Sequence, residues 1–379
     1  MFTKSAQTGC FHGGALYNLI GDDFNAINEL GNIIDADVLD AWFPPSPKAV
    51  DMLRERLDWT LRCSPPVVAS GVVRTISQST GVAGDSIVCG AGSSSLIYLA
   101  MREWLKPTAK VLLLNPTYGE YAHVFSNVIG CRYDSFKLRP ENDYQVDLDA
   151  LVRAVRLGGY DMVVLVNPNN PTGRLIEKED LQAALEEIPR ETIVWIDEAY
   201  VDYADPDSSL AKYASASKNV VVCKSLSKAL ALSGLRVAYL ACHPERAEQL
   251  RSITPPWSLS LLAQIVLIQA LQDHSYYEQR YAETHLLREE LSISLERCGF
   301  APRTSWANFL LVDYPKTFPP ANELISACRA QNLLLRNVQT MGDSIPNNCF
   351  RIAVKDRTTN ARMVNILNRL TRTRSPEES

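Results

Sequence analysis

The most informative segment of this chain reads Ser225-Leu226-Ser227-Lys228-Ala229-Leu230-Ala231-Leu232-Ser233-Gly234-Leu235-Arg236. Lys228 lies among hydroxyl side chains, and Arg236 follows eight residues later, just beyond a glycine. A partly desolvated lysine amine can lose its proton and attack an aldehyde, while small donors and a fixed arginine suit a phosphate. An isolated Ser-Lys pair more often marks an ordinary exposed helix start, so the interpretation depends on the other segments of the chain.

Length and composition indicate an ordinary globular protein. The 379 residues are enough for two domains, or for one large domain with a smaller partner. A content of 46% hydrophobic and 21% charged residues is typical of soluble proteins. The formal net charge is −5 and no basic tract is present, which argues against nucleic acid as a partner.

The cysteines and the N-terminus bear on the location of the protein. Nine cysteines are scattered without a CxxC pair, a pattern that favours a reducing compartment. The N-terminus lacks a basic segment followed by an apolar core, so no signal peptide is predicted. No apolar run approaches the roughly 20 residues of a membrane span. We therefore expect a cytoplasmic protein with no membrane partner and no metal site.

Hydrophobic patterning predicts an α/β fold. Short apolar runs alternate with helical patterns and end in polar residues, as strands do when helices bury both faces of a mostly parallel sheet. The predicted strands of this sheet are residues 86–89, 111–114, 162–166, 192–196, 220–222 and 237–240. Buried helix segments are the weaker alternative, because these runs are short and rich in β-branched residues.

We divide the chain into four parts. They are an N-terminal arm (1–45), a large domain (46–270), a smaller α+β C-terminal domain (271–370) and a disordered tail (371–379). Helices are predicted at 50–61, 96–105, 177–187, 321–331 and 359–370, and 260–295 reads as one long helix or two. Further strands are predicted at 308–312, 333–335 and 350–354.

A segment of small residues, Gly90-Ala91-Gly92-Ser93-Ser94-Ser95-Leu96, lies between a predicted strand and a predicted helix. Backbone N–H groups at a helix N-terminus, together with the helix dipole, attract an anion. Gly92, Ser93 and Ser94 are therefore candidate phosphate ligands. A plain serine N-cap is the alternative interpretation.

Three polar segments follow predicted strands, where ligands gather in open α/β sheets. Tyr118 could stack on a flat heterocycle, although a core aromatic residue is the simpler interpretation. Asn170 lies in the rigid turn Asn167-Pro168-Asn169-Asn170-Pro171-Thr172-Gly173, and its side-chain amide could donate a hydrogen bond to a phenolate-like oxygen. A turn without a ligand is the alternative interpretation. Asp197, at the end of a buried strand, needs a cation or donor. A pyridinium nitrogen would satisfy it, and these features together predict pyridoxal 5′-phosphate (PLP) as the cofactor.

With these pieces together, the chain resembles the fold-type I PLP enzymes, the aspartate-aminotransferase-like superfamily, from about His12 to Leu370. The segments Asn169–Gly173, Asp197-Glu198-Ala199-Tyr200 and Ser225–Arg236 resemble the histidinol-phosphate aminotransferase branch. The resemblance implies a large domain with a mostly parallel sheet, a small C-terminal domain and a homodimer. The arm at residues 12–43 is the candidate for reaching the partner subunit.

The resemblance also implies the roles of individual residues. Lys228 forms the Schiff base with PLP and moves the proton, Asp197 pairs with the pyridine nitrogen, and Tyr200 acts with Asn170 on the ring oxygen. The implied cofactor-binding set is Gly92, Ser93, Ser94, Tyr118, Asn170, Asp197, Tyr200, Ser225, Ser227, Lys228 and Arg236. The implied substrate-binding set is Arg351, which meets the α-carboxylate, Arg336, near the far end where that family meets a phosphate, and His12 and Tyr17. Either arginine could instead be an ordinary surface residue.

The N-terminal third departs from the aminotransferase pattern. Leu39-Asp40-Ala41-Trp42-Phe43 replaces an Asn-Glu-Asn-Pro-Tyr-like run, so the tyrosine that reaches the partner's cofactor phosphate appears as Phe43. His12-Gly13-Gly14, Pro255-Pro256-Trp257-Ser258 and Arg351-Ile352-Ala353-Val354 also resemble the threonine-phosphate decarboxylases of cobalamin synthesis.

The implied activity is a PLP-dependent aminotransferase that uses an amino acid or an amino-phosphate compound and a 2-oxo acid. A decarboxylase of an O-phospho amino acid is the alternative, because PLP stabilises the carbanion formed by loss of either a proton or a carboxylate. A specialised PLP enzyme of secondary metabolism is a third candidate. PLP-binding transcription regulators are disfavoured, since the chain has no basic helix-turn-helix extension.

Overall fold

The computed structural model describes residues 14–372. The helices of this part are α1 (Tyr17–Ile20), α2 (Pro47–Arg62), α3 (Ser70–Thr80), α4 (Ser93–Trp104), α5 (Gly119–His123), α6 (Leu148–Gly158), α7 (Lys178–Glu187), α8 (Ala211–Ala216), α9 (Leu226–Ala229), α10 (Pro244–Ile253), α11 (Leu261–Leu271), α12 (His274–Glu296), α13 (Ala321–Arg329) and α14 (Arg357–Arg372). The strands are β1 (Ile34–Asp35), β2 (Ile87–Gly90), β3 (Lys110–Asn115), β4 (Arg132–Lys137), β5 (Met162–Val166), β6 (Ile193–Asp197), β7 (Val220–Ser225), β8 (Ala238–Cys242), β9 (Ala301–Pro302), β10 (Phe309–Asp313), β11 (Leu333–Leu334), β12 (Arg336–Asn337) and β13 (Cys349–Ala353).

The larger sheet has seven strands in the order β2-β8-β7-β6-β5-β3-β4. The strands from β7 to β4 pair in parallel, whereas β8 is antiparallel to both of its neighbours. Strands β5 to β8 are buried along their whole length, as expected when helices cover both faces of a sheet. The predicted α/β class with a mostly parallel sheet is confirmed.

Each face of this sheet packs into its own apolar core. Along β3, Leu112 and Leu114 join one core, while Val111 and Leu113 join the other, because successive side chains of a strand point to opposite faces. The same alternation on β6 places the fully buried Trp195 in the second core. The strands therefore form a rigid frame whose carboxyl ends are fixed in position.

The C-terminal unit is built on a four-stranded antiparallel sheet in the order β12-β13-β10-β9. Helix α14 packs against α12 and α13. The predicted strand 333–335 ends at Leu334 as β11, and β12 follows at Arg336–Asn337. Strand β11 pairs with β1, whereas β12 pairs with β13. This division places Arg336 directly opposite Arg351.

Part of the predicted N-terminal arm belongs to the C-terminal unit. Strand β1 pairs in parallel with β11, and the N–H of Ala36 donates to the carbonyl of Leu334 at 3.0 Å. The N–H of Ala353 in turn donates to the carbonyl of Ala36 at 3.1 Å. The arm prediction is therefore revised for residues 34–36, whose backbone pairing joins segments about 300 residues apart and has no local sequence signal.

The predicted helices are confirmed, with shifts at their ends. Helix α2 begins earlier than expected, at Pro47, because proline is tolerated at the first helical position. The region 260–295 forms two helices, α11 and α12, separated by Gln272 and Asp273. Within residues 14–372, no helix combines the length and the apolar character needed to cross a membrane.

Candidate active site

The carboxyl ends of β3, β5, β6 and β7 lie side by side at one edge of the larger sheet, and a predicted site segment follows each of them. A cavity at this edge is closed from the other side by residues of the C-terminal unit and by Val38 and Leu39. Nine of the predicted site residues line it: Ser93, Tyr118, Asn170, Asp197, Tyr200, Ser225, Lys228, Arg336 and Arg351.

Lys228 lies on the short helix α9, directly after β7. Its Nζ atom is 2.7 Å from Oδ1 of Asp40 and 3.4 Å from the hydroxyl of Ser233. Burial would raise the pKa of Asp40, but the charge and the hydrogen bond of Lys228 outweigh it and hold that pKa below its usual value. The lysine thus lies between a carboxylate and a hydroxyl group.

Asp197 ends β6 on the same face of the sheet as Trp195. Its Oδ2 accepts a hydrogen bond from the hydroxyl of Tyr121 at 2.7 Å, and its Oδ1 accepts one from the N–H of Ala199 at 3.1 Å. Burial raises the pKa of Asp197 to about 6, although the bond from Tyr121 opposes this rise. Trp195 donates to the hydroxyl of Tyr121 at 2.8 Å and so fixes its position. A cationic partner for this carboxylate would relieve the cost of its burial.

Asn170 and Tyr200 meet beside Arg351. The Asn170 amide nitrogen is 3.5 Å from the Tyr200 hydroxyl, and Nη1 of Arg351 donates to Asn170 Oδ1 at 2.6 Å. Burial raises the pKa of Tyr200, so its hydroxyl stays protonated and can donate. The neighbouring Asn169 donates to the carbonyl of Pro116 and to Thr172, and thereby ties the turn after β5 to the segment after β3.

Glycine is required where Arg236 meets the start of α4. Gly92 has φ +88°, and a Cβ atom built there would lie 2.4 Å from Nη2 of Arg236. The guanidinium group thus takes the space of the missing side chain, next to the first turn of α4. The first N–H groups of a helix have no partner within the helix, so they can bind a phosphate together with Arg236 and the nearby Ser93 and Ser225.

Two predicted phosphate ligands use their side chains elsewhere. The hydroxyl of Ser94 donates to the buried carboxylate of Glu120 at 2.9 Å. The hydroxyl of Ser227 lies 3.3 Å from the carbonyl of Val237 and 3.4 Å from its N–H. Both hydroxyls are therefore engaged in hydrogen bonds within the protein.

The predicted substrate residues separate into two groups. Arg336 and Arg351 line the cavity, while Tyr17 lies on α1, half exposed and packed against Phe24 rather than in the cavity wall. His12 lies outside the described residues. Phe43 is buried between Tyr277 and Tyr281 of its own chain, so its position is fixed within one subunit.

Sequence reasoning missed three residues of the site. Tyr121 donates a hydrogen bond to Asp197, and Asp40 accepts one from Lys228. Oδ1 of Asp37 lies 3.7 Å from Nη1 of Arg336. Burial raises the pKa of Asp37, and the charges of Arg336 and Arg351 oppose that rise. Asp40 belongs to the segment that departs from the aminotransferase pattern, and that departure is the one signal that could have directed attention to it.

Fold and cavity together define an α/β protein in which a lysine and a buried carboxylate line one cavity, beside the N-terminus of α4. The chain belongs to the family "Aminotransferase class I and II", whose model matches residues 75–370. Histidinol-phosphate aminotransferase of Microcystis aeruginosa is 30% identical over 294 residues, covering 78% of this chain and 80% of the relative. The enzyme of that name from Clostridium acetobutylicum is 28% identical over 301 residues, covering 79% and 82%.

Solved structures confirm the predicted fold type. Histidinol-phosphate aminotransferase from Sinorhizobium meliloti, in complex with pyridoxal-5'-phosphate, has a TM-score of 0.83 at 22% identity and covers 99% of both chains. L-threonine-O-3-phosphate decarboxylase from Porphyromonas gingivalis has a TM-score of 0.77 at 19% identity, covering 89% of this chain and 99% of that one. Both reaction types thus occur on this fold. Membership of the aminotransferase family confirms the predicted class, a PLP-dependent transaminase that uses an amino donor and an oxo acid.

Proposed function

We propose that Lys228 carries the cofactor and moves the proton in this transamination, with Asp197 opposite the pyridine nitrogen and Arg351 at the carboxylate of the substrate. The observation that carries the proposal is the convergence of Lys228, Asp197, Tyr200 and Arg351 on one cavity. PLP, when bound, supplies the electron sink for cleavage of a bond to the carbon that bears the amine.

Each residue has a separate task in this proposal. Lys228 binds the aldehyde and later accepts and returns the proton at Nζ. Asp197 supplies the negative charge that keeps the pyridine nitrogen protonated, and Tyr121 holds that carboxylate in place. Asn170 and Tyr200 supply donors for the ring oxygen, and Tyr118 supplies a ring face. Arg351 orients the substrate with its planar guanidinium group.

The amino donor is an amino acid or an amino-phosphate compound of the histidinol-phosphate kind, and the acceptor is a 2-oxo acid. The family and the names of the relatives support this range. Decarboxylation is the competing reaction, and release of carbon dioxide distinguishes the two.

The test replaces Lys228 by alanine. We expect loss of transamination by about 1,000-fold or more, because both cofactor attachment and proton transfer depend on this amine. Borohydride reduction of the wild-type holoenzyme, followed by peptide mapping, should find the cofactor fixed to Lys228. Lys218→Ala, at an exposed lysine, is the control and should retain full activity. Retained activity in Lys228→Ala would refute the proposal, as would carbon dioxide release without amino transfer.

We further propose that the enzyme works as a homodimer in the cytoplasm. Support for the dimer comes from exposed apolar residues in the N-terminal segment, namely Tyr17, Leu19, Phe24, Ile27 and Leu30, and from a second exposed set near α2. Support for a reducing compartment comes from the eight cysteines of the described chain, which are all free.

A further inference from the structure

Two buried arginines face each other at the far end of the cavity. Arg336 on β12 and Arg351 on β13 are register partners in the antiparallel pair, and each is only 5% exposed. Like charges directly opposite each other destabilise a sheet, and buried charges need compensation. The groups that neutralise the positive charge of each arginine therefore determine how strongly that arginine can attract an anionic substrate.

Asp37 contacts Arg336 through its carboxylate and Arg351 through its backbone carbonyl. Its Oδ1 atom lies 3.7 Å from Nη1 of Arg336, which is an ion pair inside the protein. Arg351 instead donates to the backbone carbonyl of Asp37 at 2.7 Å and to the amide oxygen of Asn170 at 2.6 Å, which are both uncharged acceptors. Asp37 thus supplies a negative charge beside Arg336, while the direct hydrogen-bond partners of Arg351 among the described residues are neutral.

The position of Asp37 is fixed by the backbone. Its neighbour Ala36 bonds to Leu334 on one side and to Ala353 on the other, so the segment is held between two strands of the C-terminal unit. The Asp37 side chain is 3% exposed, so its carboxylate is shielded from water. The next residues, Val38 and Leu39, line the cavity together with Met341 and form an apolar part of its wall.

We propose that this enzyme selects substrates with a single anionic group, which binds at Arg351, and with an uncharged group directed towards Arg336. The inference rests on the proposed function and narrows its range of donors and acceptors. A second carboxylate or a distal phosphate would approach Arg336, which lines the cavity and has the buried Asp37 beside it, and the negative charge of Asp37 would oppose its binding. Asp37 acts through Arg336 and is a positioning residue rather than a catalytic one.

The first experiment needs no variant. Amino donors that differ in the charge of the distal group are compared by kcat/KM in the first half-reaction of the holoenzyme: L-glutamine with L-glutamate, L-asparagine with L-aspartate, and L-threonine with O-phospho-L-threonine. We expect the uncharged member of each pair to be favoured by about tenfold or more. Equal or better use of the distal anions would overturn the inference.

The second experiment removes the charge of Asp37 with the isosteric variant Asp37→Asn. We expect the ratio of kcat/KM for L-glutamate to that for L-glutamine to rise about tenfold, mainly through a lower KM for L-glutamate. The double variant Asp37→Asn/Arg336→Gln should lose this gain, because the effect passes through Arg336. If Asp37 were only a structural counter-ion, Asp37→Asn would impair both donors alike, and that result would contradict the inference.

A binding measurement separates this inference from the proposed function. Succinate and its monoamide, succinamate, do not react, and isothermal titration of the holoenzyme gives their affinities directly. We expect succinamate to bind about tenfold more tightly than succinate, and Asp37→Asn to remove the difference. Absence of turnover with every donor would refute the proposed function alone, whereas equal affinity of the two probes would refute the selectivity and leave the transaminase assignment intact.

Discussion

Asp197 is buried at a cost in stability, which fits the role towards the cofactor that we propose for it. The carboxylate is 3% exposed and has hydrogen bonds from Tyr121 and Ala199, but no cation lies close enough to form an ion pair among the described residues. Burial raises its pKa from 3.8 to about 6. Between these two pH values the folded protein binds the proton more tightly than the unfolded chain does, so the ionised group lowers stability above pH 6.

This environment predicts the effect of Asp197→Asn on the protein without cofactor. Since two pKa units correspond to about 3 kcal/mol, the variant should be more stable than wild type by up to that amount at pH 8. The gain should shrink as the pH falls below about 6, because the wild-type carboxyl then becomes neutral. Thermal melting of the two proteins from pH 5 to pH 8 measures the difference. Asp134→Asn, at an exposed carboxylate, is the control and should show no gain at pH 8.

The same substitution should impair the enzyme when PLP is present. Without the charge of Asp197 the pyridine nitrogen loses the partner that keeps it protonated, and we expect transamination to fall about 100-fold or more. A variant that is less stable without cofactor, or equally active with it, would contradict the role assigned to Asp197.

The loop before α4 and the segment after α9 fit against each other, because Gly92 has no side chain and leaves room for the guanidinium group of Arg236. Gly92→Ala would place a methyl group against Arg236 and force a non-glycine residue to adopt φ +88°. Such strain costs about 1–3 kcal/mol. We expect the dissociation constant of PLP, measured by absorbance titration of the ligand-free enzyme, to rise about tenfold or more.

A nearby glycine supplies the control for this prediction. Gly234 belongs to the same segment as Arg236, yet a Cβ atom there would meet no atom within 4 Å. Gly234→Ala should therefore leave PLP affinity unchanged. An unchanged affinity in Gly92→Ala would show that Arg236 does not depend on this close approach.

At the scale of elements, the sequence predicted what local patterns encode. The apolar runs that became β5, β6 and β7 carried the period and the β-branched residues of buried strands, so the residues that follow them could be placed at one sheet edge. Asp37 and Tyr121 could not be predicted, because their partners lie far away in the chain and no motif joins them. For Asp40, the departure from the family pattern marked the segment but not its contact with Lys228. For Ser94 and Ser227 the motif predicted phosphate binding, but in the structure both hydroxyls form hydrogen bonds within the protein.

For the whole molecule, the distribution of exposed apolar residues suggests where the proposed homodimer would form. Leu57, Leu61, Val68 and Trp257 are between 44% and 75% exposed. They lie on α2 and on two loops that are joined by the hydrogen bond from the N–H of Trp257 to the carbonyl of Val67. Exposed apolar residues that cluster in this way mark interaction surfaces more often than scattered ones do.

Val68→Glu should therefore weaken the proposed homodimer. Val68 is 75% exposed, and a carboxylate there would be buried without a partner when two subunits meet. We expect the dimer dissociation constant, measured by sedimentation velocity over a dilution series, to rise about 100-fold, with loss of activity in parallel where the site needs both subunits. Leu157→Glu is the matched control, because Leu157 is 89% exposed on α6 and lies in neither apolar set. If Val68→Glu had the same dimer dissociation constant as Leu157→Glu, the subunits would meet through another surface. A wild-type protein that is monomeric and fully active at micromolar concentration would contradict the dimer itself.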